Sequence, residues 1–277
     1  MLQMCGKCPK KEGIKSFLMN ITSASDHEHS FINYKQWVST DRCQLIEVSE
    51  EFENFIESLS NKIQQLTRHH FIAKGQSAYL KDLKESINEE ELVVLADYSE
   101  NYSFIIQDAA QGFHWDNSQC TVHPFVIYYK NSKTSKIEHK SYCFISSVTN
   151  HDTIMFYSFL NKLIPSIRND HPNLKKIHYF TDGCSAQYKN KYNFASICNH
   201  ESYYGISCEW NFFATSHGKS ACDGNSGTVK RAVAKASLQR PTKNLILTVT
   251  DMFKFCTEDL GSQIKFFLTS PEEIVKT

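Results

Sequence analysis

One stretch constrains this chain more than any other: Leu92-Val93-Val94-Leu95-Ala96, followed directly by Asp97. Five apolar residues without alternation do not suit a strand with one face in water, and the run is short for a helix. They suit a strand covered on both faces, of the kind found at the centre of an α/β sheet. Such a strand demands covering layers above and below it, and therefore a chain of domain size. The 277 residues allow one large domain or two modest ones, at about 100–200 residues each. With 41% hydrophobic and 22% charged residues, the chain has the ordinary composition of a globular protein with a core.

The elements around that strand follow from pattern. Phe125 to Tyr129 and Ser141 to Ser146 are apolar runs joined by the lysine-rich turn Lys130 to Lys140, a hairpin signal. A helix is expected from about Asp152, with Phe156, Phe159, Leu160, Leu163 and Ile164 on one face, and Pro165 should kink or end it. Ile177 to Thr181 is a short strand ending at Asp182-Gly183. A helix over 190–199, a strand over 206–215 and a last helix from about Asp223 complete the set. The order over 91–240 is β-β-β-α-β-α-β-α, the order of ribonuclease-H-like folds with their mixed sheet. Residues 1–90 read as an N-terminal helical region. Ser49 is its expected N-cap, Glu50 and Glu51 occupy the first turn, and Phe52, Phe55, Ile56, Leu59, Ile63 and Leu66 form one apolar stripe. A second helix is expected over Gln76 to Ile87. Residues 241–277 read as a C-terminal extension, with an amphipathic stretch from Met252 to Leu260 and a short strand from Ile264 to Leu268.

In that order three acids fall where such a fold gathers its functional groups. Asp97 ends the first strand, Asp182 the fourth, and Asp223 opens the last helix. Mg²⁺ or Mn²⁺ takes oxygen ligands and completes its shell with water and phosphate, so a few carboxylates suffice. Two such ions would stabilise the attacking and leaving oxygens of an in-line phosphoryl displacement. Each acid alone has an ordinary explanation, Asp182 as a turn residue before Gly183 and Asp223 as an N-cap; their joint placement favours a site. Glu100, Asp108 and Glu209 are rival acids. His217, between the fifth strand and the last helix, is placed to contact phosphate or to move a proton to a leaving oxygen.

Thirty basic residues balance thirty acidic ones, so net charge cannot drive binding to a polyanion. The charge is nevertheless segregated. Glu85 to Asp108 holds seven acids and no Lys or Arg, whereas His217 to Lys243 holds six basic residues against Asp223 alone. Lys219, Lys230, Arg231 and Lys235 are the expected DNA contacts, neutralising phosphates in a salt-dependent way. The alternative is that they solvate the helix face opposite Val229, Val233 and Ala236.

Longer motifs carry a resemblance. Phe180 to Lys191 (FTDGCSAQYKNK), Asp97 to Ser103, Gln107-Asp108 through His114-Trp115, Thr121 to Phe125, and Ala214 to Lys219 continuing through Cys222-Asp223-Gly224 to Arg231 together resemble a transposon-derived family of uncharacterised animal proteins. Gln36 to Arg42 belongs to the same pattern. The family is similar to transposases of the DDE/DDD type, with a ribonuclease-H-like core. The resemblance implies metal-dependent DNA cleavage and strand transfer by Asp97, Asp182 and Asp223. The other reading is a non-catalytic descendant that binds DNA or protein. Transposases usually carry a DNA-binding domain ahead of the core, which implies either sequence upstream of Cys5-Gly6-Lys7-Cys8 or a remnant that no longer transposes.

Other signals are weaker. Cys5 and Cys8 form a lone CxxC, half of a Zn²⁺ site, with His27, His29 and Cys43 as the nearest further ligands. Cys198, His200, Cys208, His217 and Cys222 are a second set, and Cys120-x-x-His123 reads as a loop. His114 and Trp115 could stack on a base or pack before a strand. There is no HExxH, and no Cys–His pair can be assigned, so zinc hydrolase and cysteine peptidase readings lack support. Scattered cysteines in a chain this long indicate a reducing compartment, nuclear or cytoplasmic, and the N-terminus lacks a secretory signal. DNA is the expected partner, a homo-oligomer stays open, and no apolar run suits a membrane.

Overall fold

The computed structural model describes residues 10–22, 30–105, 118–214, 220–241 and 245–275. The chain divides into two compact units, Met1–Gly75 and Gln76–Thr277.

The first unit contains α1 (Lys11–Ile21), a hairpin of β1 (Phe31–Ser39) and β2 (Cys43–Glu51), and the beginning of α2 (Phe52–Ser86). Ser49, Glu50 and Glu51 therefore lie in a strand, not in a helix cap and first turn. Pairing of β2 with β1 satisfies backbone groups along the whole strand, from Phe31↔Glu51 to Ser39↔Cys43, where a Ser49 cap would satisfy one donor. The Tyr34 hydroxyl donates to Glu50 Oε1 at 2.8 Å across the hairpin. The helices expected around 49–66 and over 76–87 are one. Only Gly75 interrupts good helix formers between them, and a helical glycine costs about 1 kcal/mol, too little to end a helix without a proline or a cap. Leu18, Phe52 and Ile56 form the buried centre of this unit.

In the second unit the strands are β3 (Glu91–Ala96), β4 (Tyr102–Ser103), β5 (Gln119–Lys130), β6 (Ile137–Ser146), β7 (Lys176–Thr181), β8 (Ser207–Phe212) and β9 (Ile264–Thr269). They form a mixed sheet in the order β8-β7-β3-β5-β6-β9, with β4 on β5. β3, β5 and β6 are antiparallel neighbours; β7 runs parallel to β3, β8 to β7, and β9 to β6. Among the helices α3 (Thr153–Asp170), α4 (Lys191–Tyr204), α5 (Ala221–Gln239), α6 (Val249–Leu260) and α7 (Pro271–Val275), α3 shares a core with Leu92, Val94 and Ala96. Val93 and Leu95 turn the other way, to Ile87, Val126, Phe180 and Cys222. β3 is thus covered on both faces, as its unbroken apolar run demands.

Pro165 does not end α3, which continues to Asp170. Its ring side is exposed, so water can serve the carbonyl left without a partner, while buried Leu163, Ile164 and Ile167 hold the helix on the sheet. Residues 241–277, read as an extension, supply a strand to this same sheet and a helix to its core. Met252 and Cys256 of α6 pack with Val229 and Val233 of α5. Cys120 and His123, read as a loop, sit fully buried in β5. Among the described residues no helix is long and apolar enough to cross a membrane, and the described cysteines are free thiols.

α4 ends at Gly205, whose φ of 66° is left-handed. A Cβ there would also lie 2.9 Å from Arg168 Nη2. Gly205→Ala should therefore destabilise the protein by about 1–2 kcal/mol, read as a lower denaturant midpoint at unchanged slope. An unchanged midpoint would mean that this cap carries no strain.

Candidate active site

The β3–β7 pairing sets the geometry. Leu95 lies opposite Phe180 in parallel register, so Asp97 and Asp182, each two residues further on, leave the sheet at the same level. Both stand at the carboxyl ends of adjacent parallel strands, where open α/β sheets place their ligand crevices. α5 brings the third acid. Its N-cap is Ser220, and Asp223 occupies the third helical position in a reciprocal capping box. The expected choice between cap and functional acid therefore dissolves: Asp223 uses Oδ2 to accept the Ser220 N–H at 2.8 Å.

Asp182 is tethered in a similar way, its Oδ1 accepting the Cys184 N–H at 3.0 Å across the turn. Each of these carboxylates thus fixes one oxygen on the backbone, and the other accepts no hydrogen bond from a described residue. Asp97 is different. Burial of its carboxyl, followed by the negative charges of Asp182 and then Asp223, pushes its pKa up to about 7. The neighbouring thiol of Cys222 responds to the same charges: burial, with Asp97 and Asp223 adding to it, raises its pKa to about 12. The structure thus brings Asp97 within electrostatic reach of both other sequence-predicted acids, Asp182 and Asp223. Among the described residues no group of three or more His, Cys, Asp or Glu side chains is gathered to hold a single metal ion.

Of the rival acids, Glu209 is committed to other partners. Glu209 accepts from the Tyr79 hydroxyl at 2.8 Å and pairs with Lys176 at 3.2 Å, while Glu100 is exposed. Asp108, His114, Trp115, His217, Lys219, Cys5, Cys8, His27 and His29 lie outside the described residues. The basic segment divides. Lys230 is half-buried, its ammonium donating to the Glu100 carbonyl, and burial pulls its pKa down. Arg231 and Lys235 remain exposed on α5. Cys198 is exposed, and His200 is occupied by the Ile206 carbonyl at 2.7 Å and the Tyr179 hydroxyl at 3.1 Å.

Beneath the acids lies an aromatic floor that sequence reasoning did not assemble. Tyr188 is fully buried, with its hydroxyl 3.0 Å from His123 Nε2. Burial raises its pKa far above the usual range, and the charges of Tyr98, Asp97 and Asp182 add to this. The Tyr98 ring meets His123 edge-on at 4.3 Å and stacks on His151 at 4.4 Å. Both tyrosines fall within the motifs that carry Asp97 and Asp182, but contact across four elements has no local signal.

A model of the domain of unknown function DUF8701 matches residues 76–277, beginning where the second compact unit begins. A model of the domain of unknown function DUF8700 matches residues 1–67. No curated protein matches the chain.

The raised pKa of Asp97 has a signed consequence. The folded state holds this proton more tightly than the unfolded chain, so the group's contribution to stability falls as pH rises from about 4 to about 7, and the deficit is complete above that. Asp97→Asn should therefore stabilise the protein at pH 8, on the order of 2–4 kcal/mol, and hardly at all at pH 4. Thermal melts of both proteins across this range measure it. A constant gap between them would show that the Asp97 charge is not under pressure from its neighbours.

Proposed function

This chain belongs to the DUF8701 family, and we propose that it is a transposase-like enzyme that cleaves and joins DNA phosphodiesters through Asp97, Asp182 and Asp223. The observation that carries this reading is that Asp97 and Asp182 leave adjacent parallel strands at the same level, with Asp97 within electrostatic influence of both Asp182 and the Asp223 that opens α5. The strand order β6-β5-β3-β7-β8, antiparallel on one side of β3 and parallel on the other, supports a ribonuclease-H-like fold with β9 added at its edge.

The donor set fits Mg²⁺ or Mn²⁺. These ions take oxygen ligands, and one or two carboxylates with water and phosphate oxygens suffice for each, so no triple cluster is needed. Burial, then the charges of Asp182 and Asp223, raise the Asp97 pKa, and a bound cation would offset both. Asp97, Asp182 and Asp223 would hold two such ions, and the chemistry supplied is stabilisation of the attacking and leaving oxygens in an in-line displacement. The protein's own part is positioning. The Cys184 and Ser220 N–H groups orient the carboxylates of Asp182 and Asp223, and the floor of Tyr98, His123 and Tyr188 keeps the underside of Asp97 dry. Water is the nucleophile for cleavage and a DNA 3′-hydroxyl for joining. Arg231 and Lys235 contact phosphates from the exposed side of α5, and Lys219 and His217 keep the phosphate and proton-transfer roles their sequence position gives them.

Asp182→Asn is the decisive substitution. Asn retains an oxygen for the turn with Cys184 but loses the charge, so stability should change little while nicking of DNA ends in Mn²⁺ falls at least about 100-fold. Equal nicking by both proteins, or DNA binding without nicking by the native chain in either ion, would overturn the catalytic reading.

A further inference from the structure

We propose that the surface beside Asp182 formed by Lys189, Lys191, Phe194 and Phe212 binds single-stranded DNA, with a base stacked on Phe194 and the lysines on flanking phosphates. This rests on the DNA-processing reading above and adds to it the form of DNA that the site receives. Phe212 closes β8 opposite Thr181, one residue before Asp182. The Lys189 side chain runs past the same turn: a Cβ on Gly183 would lie 3.9 Å from Lys189 Cδ. Its ammonium stands 5.5 Å from the centroid of the Phe212 ring. Phe194, in the first turns of α4, meets Phe212 nearly edge-on, at 6.2 Å between centroids and 84° between planes.

This surface has the chemistry of a single-strand groove. Phe194 is 47% exposed although it follows the buried Asn193, and its edge-on contact with Phe212 leaves ring surface open. Lys189 and Lys191 are exposed and pair with no carboxylate among the described residues. Lys230, by contrast, is committed to the Glu100 carbonyl. Lys189 beside the ring pair, and Lys191 three residues before Phe194 on α4 with its ammonium 5.0 Å from the Tyr192 ring, match a polyanion whose bases are accessible. A duplex offers the phosphates but keeps its bases stacked inside, so this surface favours an unpaired strand.

Fluorescence anisotropy on the full chain, without divalent cation, tests this with an oligothymidine strand and a duplex of equal length. Phe194→Ala should weaken binding of the strand about tenfold and of the duplex less than twofold, and Phe194→Trp should restore the strand. Lys189→Ala combined with Lys191→Ala should flatten the strand's salt dependence by about 1.4 in log–log slope, at about 0.7 per phosphate contact. An unchanged affinity in Phe194→Ala, or an equal loss on strand and duplex, overturns the inference. If nicking still depends on Asp182 in that case, the catalytic reading survives. If neither DNA binds the native chain, both readings fall.

Discussion

The parallel pairing of β3 with β7 is the constraint on which the rest depends. It holds Asp97 and Asp182 level at the ends of two adjacent strands, and β3 is packed on both faces, so Asp97 cannot move away from its neighbour without disturbing the core. A carboxyl placed there meets burial and like charge together, and both favour the neutral form. Folding alone would not select this arrangement, since an apolar or amide side chain would end the strand at lower cost. An ionisable carboxyl kept at a strand end that resists its charge is what a cation-binding site requires.

Asp182 and Asp223 show how structural and chemical roles coexist. A backbone N–H accepted by one oxygen sets the torsion of the side chain and so aims the other oxygen. The turn at Cys184 and the capping box at Ser220 are therefore not competitors of the site but the means by which it is positioned. The cap also places an acid at the positive end of the α5 dipole, where negative side chains are accommodated. After burial, it is the neighbouring carboxylates of Asp182 and then Asp223 that press on Asp97.

What could be read from the sequence followed from local pattern. The run Leu92 to Ala96 announced a strand buried on both sides, and the acids at 97, 182 and 223 were visible from the order of elements. Features decided across the chain were not. Ser49 to Glu51 have the chemistry of a helix start, and only pairing with Phe31 to Asn33 makes them a strand. Ile264 to Thr269 read as the tail's own strand, yet it joins β6 in parallel, a contact spanning more than a hundred residues. His123 sits in a polar-looking stretch, and its burial comes from Tyr98, Phe156 and Phe159 on other elements. Lys230 looked like a free cation because its sequence neighbours are helical and polar; its partner, the Glu100 carbonyl, comes from the loop after β3.

The fate of Lys230 bears on how a chain of zero net charge can serve a polyanion. Affinity for phosphate depends on the charges within about a Debye length of the bound backbone, about 10 Å at ordinary ionic strength, and not on the total. On the proposed function, the acids around Asp97 would repel a phosphodiester in the absence of cations, so the approach of DNA would fall to exposed lysines and arginines that pair with no carboxylate. Among the described residues, Arg231 and Lys235 on α5 are exposed and pair with no carboxylate, as are Lys189 and Lys191, whose ammonium groups face the Phe212 and Tyr192 rings. Exposed positive charge is thus offered by two separate stretches of the chain, one on α5 and one leading into α4. Only the α4 patch is interleaved with exposed aromatic rings, so the two stretches are not equivalent. On the proposed function, a strand bound to both would meet stacking and charge at one and charge alone at the other.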